Sequence, residues 1–271
     1  MNANKVCFIT CYNDEVLYHE CLKYIHSLNV PEGIEVETLG VFEAESMAAG
    51  YNKAMQSSDA KYKVYLHQDT FIINKNFIFD ATELFLRNPI IGIMGVVGAE
   101  YLPLNGIWWD ARSKYGVVQE SSTGVLKKLE FNNQIKDYKS VAVVDGLILI
   151  TQYDLPWRED LFEGWHCYDL SQCLEFIKNG YQVAIPRQDK CWCIHDCGIV
   201  NVSNGFKESI NIVLQSYGDI ITDRYKLFLD QNISRLAVEL QRRKNEGEIN
   251  HEYEKLLLYK ELLHVEFEIY S

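Results

Sequence analysis

The feature that most constrains this chain is the alternation of two periodicities across its first hundred residues. Residues 5–10, 34–41, 61–72 and 90–97 read as strands. Between them, residues 15–28, 46–55 and 76–86 repeat apolar side chains at helical spacing. Val16, Leu17, Leu22, Ile25 and Leu28 mark the first of these helices, with Asn13 or Asp14 as its N-cap. A chain that alternates strand and helix has few solutions. The usual one is a mostly parallel sheet with helices on both faces.

Sheets of this kind bind ligands at the carboxyl ends of their strands. The stretch 61–72 is informative there. It runs apolar through Val64 and Leu66 and then stops on His67-Gln68-Asp69. Asp69 is either a turn residue or a ligand contact. Residues 98–139 lose the regular pattern and hold Trp108 and Trp109 in loops or short strands. Val141 to Asp145 reads as a buried strand ending on an acid and Gly146, with residues 147–151 continuing it. A helix follows Trp165-His166-Cys167-Tyr168-Asp169 and closes at Gly180, a C′ glycine. Residues 181–185 and 191–194 are strands. After Gly205, residues 206–217, 222–245 and 250–270 have helical spacing and dense charge. That divides the chain into a first domain, 1–205, and a helical extension, 206–271, for which a hairpin turning at Asn245-Glu246-Gly247-Glu248 is one arrangement. Packing of these helices within the chain is preferred, and pairing with a second copy is the alternative.

Charge narrows the function. A formal net charge of −12 lacks the basic footprint that a nucleic-acid binder needs. No stretch approaches the roughly 18 apolar residues of a membrane span. The reading is a cytoplasmic protein whose eight cysteines are reduced thiols. Cys191, Cys193, His195 and Cys197 do not suit one zinc ion, because an extended strand spreads its ends about 20 Å apart. The turn after the first strand has no glycine-rich phosphate loop, which disfavours dinucleotide oxidoreductases and ATPases. What remains are acids near strand ends and helix starts (Asp69, Asp145, Asp169) together with His195. Asp69 and His195 could hold one hard cation, Mg2+ or Mn2+, and leave positions open for a diphosphate.

Four stretches in order then resemble the family 2-like glycosyltransferases. They are Ile9-Thr10-Cys11-Tyr12-Asn13; Asn52 followed by Tyr65-Leu66-His67-Gln68-Asp69; Val144-Asp145-Gly146; and Phe162 to Asp169 with Gly180 beyond. The resemblance covers residues 5–198. It implies the nucleotide-diphospho-sugar transferase (GT-A) fold, with a Rossmann-like sheet. It implies a donor of UDP or GDP type, a saccharide or glycoconjugate acceptor, and a divalent cation. By the same resemblance Asp169 is the general base of an inverting transfer, with His166 one helical turn away as its adjunct. Thr10, Tyr12, Asn13, Asn52, His67, Gln68, Asp69 and Asp145 are the nucleotide-sugar contacts, and Asp69 with His195 the metal ligands. Two positions depart from the family pattern. His67 stands at the first acid of its D-x-D motif, and Tyr168 at the glutamate of its E-D motif. The alternative reading is therefore a catalytically degenerate binding or scaffold protein with the same fold.

Overall fold

The computed structural model describes residues 1–132, 135–199 and 203–246. Its centre is a seven-stranded sheet. Strand β1 (Asn2–Tyr12) lies between β2 (Glu35–Phe42) and β3 (Ala60–Leu66), parallel to both. Then come β11 (Ile148–Thr151), β5 (Ile91–Gly95), β12 (Gln182–Pro186) and β9 (Tyr138–Val141). Only β11 and β9 run against the others. Three helices link the early strands: α1 (Glu15–His26), α2 (Met47–Ser57) and α3 (Phe77–Arg87). The alternation read from the sequence thus yields the expected, mostly parallel sheet.

Local chemistry explains the joints. Asp14 caps α1, its Oδ1 accepting from Val16 N at 2.8 Å and Leu17 N at 3.1 Å. Such a cap contributes about 1 kcal/mol. Helix α2 lies close on β1, because Gly50 has no side chain. A Cβ there would come within 2.4 Å of Cys11 Sγ. Lys63, in the middle of β3, is fully buried and bonds both oxygens of Asp154, at 2.8 and 2.9 Å.

In the stretch 61–72, β3 stops before His67-Gln68-Asp69 as expected, and a separate strand, β4 (Thr70–Ile72), begins after the turn at 67–69. Other elements differ from the sequence reading. The run 90–97 breaks after Gly95 and restarts as β6 (Val97–Ala99), which leaves the main sheet. It joins a second sheet in the order β10 (Val143–Val144), β6, β7 (Lys114–Glu120), β13 (Cys193–His195), β4, with β8 (Lys127–Glu130) paired to β7. The irregular region therefore supplies a β7–β8 hairpin facing the end of β3. Helix α4 (Tyr168–Lys178) ends as expected, with Gly180 at φ +83°.

The expected break at 218–221 is absent. One helix, α5, runs from Phe206 to Asn245. A glycine inside a helix costs only about 1 kcal/mol, and buried Tyr217 and Ile221 flank Gly218 on the packed face. The first half of α5 packs on the sheet domain through Ile210, Val213, Tyr217 and Tyr225. Tyr217 Oη lies 2.8 Å from Ser171 Oγ and donates to Glu175 at 2.9 Å. The expected third helix, 250–270, lies outside the described residues. No described helix is long and apolar enough to cross a membrane.

Candidate active site

The carboxyl ends of β1 and β3 and the start of β11 share one edge of the main sheet. There the chain leaves β3 through a tight turn, with Thr70 N donating to His67 O at 3.2 Å. Gln68 ties this turn to the end of β1. Its Oε1 accepts from Asn13 N and Asp14 N, both at 3.0 Å, and its Nε2 donates to Asn13 Oδ1 at 2.9 Å. Three of the expected nucleotide-end residues, Tyr12, Asn13 and Gln68, thus form one corner. Tyr12 stacks on Tyr18 with ring centres 4.0 Å apart. Thr10 is buried beneath it.

His67 and Asp69 meet His195 where β13 pairs with β4, in a register that places His195 opposite Thr70. His67 Nδ1 is 3.3 Å from His195 Nε2. Asp69 Oδ1 is 3.5 Å from His195 Nε2 and 4.0 Å from His67 Nδ1. That oxygen is buried and accepts no hydrogen bond. One atom from each of these three residues falls within 4.8 Å of the others. A buried, unbonded carboxylate oxygen between two imidazoles is a donor set that fits a divalent ion.

The three groups shift one another's titration. Burial, aided by neighbouring His195, pushes His67 down to about 4. His195 goes the other way: burial opposes its charge, but the neighbouring Asp69 carboxylate and Cys197 together outweigh burial and raise it to about 10. Asp69 is buried too, yet His195 holds its carboxyl below the usual carboxylate range.

Across the cavity stands Asp169, in the first turn of α4. Its Oδ2 accepts from Gly146 N at 2.9 Å. Burial first, and then the neighbouring Asp145, raise its carboxyl from an ordinary 3.8 to about 7. Gly146 is required by close approach, since a Cβ there would meet Tyr168 Oη at 2.4 Å. Asp145 Oδ1 accepts from Leu147 N at 3.0 Å. The entry to α4 is itself tense. Cys167 sits at φ +60°, a left-handed conformation unusual for a residue with a side chain. Beneath the site, Tyr51, Tyr65, Trp157 and Tyr168 form an aromatic floor, with Tyr65 and Trp157 ring centres 4.8 Å apart.

Not every expected residue plays the part the sequence suggested. The side-chain amide of Asn52 makes both its bonds to the backbone of Trp157, each at 2.8 Å. It clamps the loop that leads to α4. His166 precedes α4, separated from it by Cys167, so it does not share a helical turn with Asp169. Its ring meets the edge of Phe206 at 5.7 Å. His67, Asp69, Asp145, His166, Asp169 and His195 all line one cavity of about 770 Å³.

The same cavity contains residues that the sequence did not single out. Glu120, at the end of β7, pairs in register with His195. It is 8% exposed, and its Oε1 has no hydrogen bond, with Lys127 Nζ 3.8 Å away. Phe206, the first residue of α5, stacks on half-exposed Trp109 with ring centres 5.2 Å apart. Val118 and Glu120 share a face of β7, so period-2 patterning carried the signal for Glu120. Among the described residues lining the cavity there are four carboxylates and no Lys or Arg.

No curated protein sequence matches the chain. Among solved structures, S. aureus TarS superposes with a TM-score of 0.51 at 11% identity, covering 83% of this chain and 42% of that one. Residues 1–349 of TarS, in complex with UDP-GlcNAc, give 0.49 at 10% identity over 73% of this chain and 60% of that one. The mannosyltransferase PcManGT from Pyrobaculum calidifontis, in complex with GDP-Man and Mn2+, gives 0.45 at 13% identity over 72% of this chain and 57% of that one. This chain therefore spans less than two thirds of the length of each, and the likeness is one of fold. The pattern of the glycosyltransferase-like family matches residues 7–217. The chain belongs to that glycosyltransferase-like family and has the GT-A fold.

Proposed function

We propose that the protein transfers a sugar from a nucleoside-diphosphate donor to an acceptor hydroxyl, with inversion of the anomeric centre and with a divalent cation. One observation carries this reading. A buried carboxyl raised to about 7 faces the same cavity as a His67–Asp69–His195 cluster suited to a cation. A general base is most effective when its pKa lies near the working pH. Asp169 would take the proton from the acceptor oxygen as that oxygen attacks. The Gly146 N–H holds one carboxylate oxygen in place, leaving the other to reach the acceptor. A single displacement with a base on the face opposite the leaving group inverts configuration.

His67, Asp69 and His195 would hold the cation. When bound, it would offset the negative charge that gathers on the departing diphosphate. The Tyr12–Asn13–Gln68 corner lies beside that cluster and would seat the nucleoside, with Thr10 supporting it from below. Asp145 would accept from a sugar hydroxyl. His166 and Phe206 stand on the acceptor side. Bound molecules of this donor class in TarS and PcManGT support the reading.

The test is a panel of UDP- and GDP-sugars with Mn2+, scored for release of the nucleoside diphosphate. The anomeric configuration of the product is then read by NMR. Inversion with one donor is the expected result. Retention would remove Asp169 as the base of a single displacement. Nucleotide binding with no turnover on any donor would favour the degenerate binding protein, the reading that His67 in an acid's place first suggested.

A further inference from the structure

The two departures from the family's motif pattern touch each other. Tyr168 Oη lies 2.5 Å from His67 Nε2 and 3.2 Å from the carbonyl oxygen of Gly146. The hydroxyl has one proton. A carbonyl can only accept, so both contacts are hydrogen bonds only when the hydroxyl donates to Gly146 O and its oxygen accepts from His67 Nε2–H. The ring is thereby fixed as the tautomer whose lone pair sits on Nδ1. Nδ1 is the nitrogen that faces His195 Nε2 and Asp69 Oδ1. Tyr168 is buried on the aromatic floor, so the phenol has little freedom to turn away.

We propose that His67 is a metal ligand through Nδ1, positioned by Tyr168. With His195 and Asp69 it makes a set of two imidazoles and one carboxylate that selects transition-metal ions over Mg2+. The inference rests on the cation role proposed above and narrows it. Mg2+ prefers oxygen donors and gives up its water reluctantly. Imidazole donors favour the later divalent ions, with affinity rising from Mn2+ through Fe2+ to Co2+. A carboxylate in place of His67 would supply a harder donor and weaken that preference. Tyr168 acts here as an outer partner of the kind that orients a metal-bound imidazole, and loss of such partners lowers metal affinity about 10- to 100-fold.

The experiment uses the full chain without a histidine tag, stripped with chelator and then desalted. Mg2+, Mn2+ and Co2+ are titrated by calorimetry with no nucleotide present, and Co2+ also by visible absorption. Co2+ is expected to bind about 100-fold more tightly than Mg2+, with Mn2+ between them. His67→Ala is expected to weaken Co2+ about tenfold or more, and Tyr168→Phe about tenfold, with melting temperatures showing that both variants are folded. His67→Asp is expected to bring the Co2+ to Mg2+ ratio below about tenfold. Equal affinity for Mg2+ and Co2+ in the wild type, or unchanged Co2+ binding in His67→Ala, overturns the proposal. The two readings separate cleanly. A chain that shows this metal pattern but binds no nucleoside diphosphate refutes the transferase and leaves the ligand set standing. A chain that transfers sugar while His67→Ala binds Co2+ as before does the reverse.

Discussion

Replacing Asp169 by Asn is expected to abolish turnover and yet stabilise the protein at alkaline pH. The folded carboxyl keeps its proton up to about 7, because burial and Asp145 oppose its charge. In the unfolded chain the same group ionises near 4. Between these values the native state binds the proton that the unfolded state has released. Wild-type stability therefore falls as pH rises through that window, and the loss is complete above about 7. A gap of this size corresponds to about 4 kcal/mol. Asn cannot ionise, but it keeps the acceptor for Gly146 N–H. Asp169→Asn should thus match the wild type near pH 4 and exceed it by up to about 4 kcal/mol at pH 8.5, a shift of roughly 8–16 °C in melting temperature. Urea or thermal melts of both proteins across pH 4 to 9, without added metal, are the assay. A stability difference that does not change with pH would refute the placement of a buried, proton-holding carboxyl at this position. Over the same range, wild-type transfer should rise with pH through about 7, as the base loses its proton.

Other perturbations have equally definite outcomes. Asp69→Ala should lower Mn2+ affinity about 100-fold with little change in fold, read by calorimetry, because the ion loses its only anionic ligand in the cluster. Asp154→Ala should destabilise by about 3 kcal/mol in urea melts, since it strands a fully buried Lys63 charge, whereas Lys63→Met should cost much less because Asp154 reaches solvent. Gly146→Ala should reduce transfer by more than about tenfold, because its Cβ would drive Tyr168 and Asp169 out of place; a variant with wild-type kcat would show that this contact is not tight. Asn52→Ala should raise protease cleavage in the loop around Trp157, because that loop loses both side-chain bonds that hold it.

Much of the site was legible because it lies at strand ends, and strand ends follow from periodicity. Alternating Val64 and Leu66 place Asp69 just past a strand end, where β3 stops at Leu66. The run into Asp145 and Gly146, and the helix after Asp169, were legible for the same reason. The harder part lay in pairings that no local pattern encodes. Residues 114–120 alternate weakly, and the strand that recruits them, β13, is 73 residues further on at Cys193, so Glu120 stayed hidden. The family resemblance alone makes Asn52 an expected nucleotide-sugar contact. Its amide instead satisfies a backbone 105 residues away. The substitutions at His67 and Tyr168 each looked like a loss when taken alone. Only their 2.5 Å contact shows that they belong together. The helical gap expected at 218–221 is absent because tertiary packing of Tyr217 and Ile221 overrides the weak helix propensity there.

The charge that lines the cavity bears on the order in which molecules can enter it. Asp69, Glu120, Asp145 and Asp169 face the space and no described Lys or Arg lines it; the cations beside these acids are His195, next to Asp69, and Lys127, next to Glu120. A nucleoside diphosphate arrives as an anion, so Asp145, and Asp169 once it has lost its proton above about 7, repel it from the cavity. On the proposed function, the cation must come first or arrive already bound to the diphosphate. Added neutral salt should then speed nucleotide capture in the absence of metal, the opposite of what a lysine- or arginine-lined phosphate site shows.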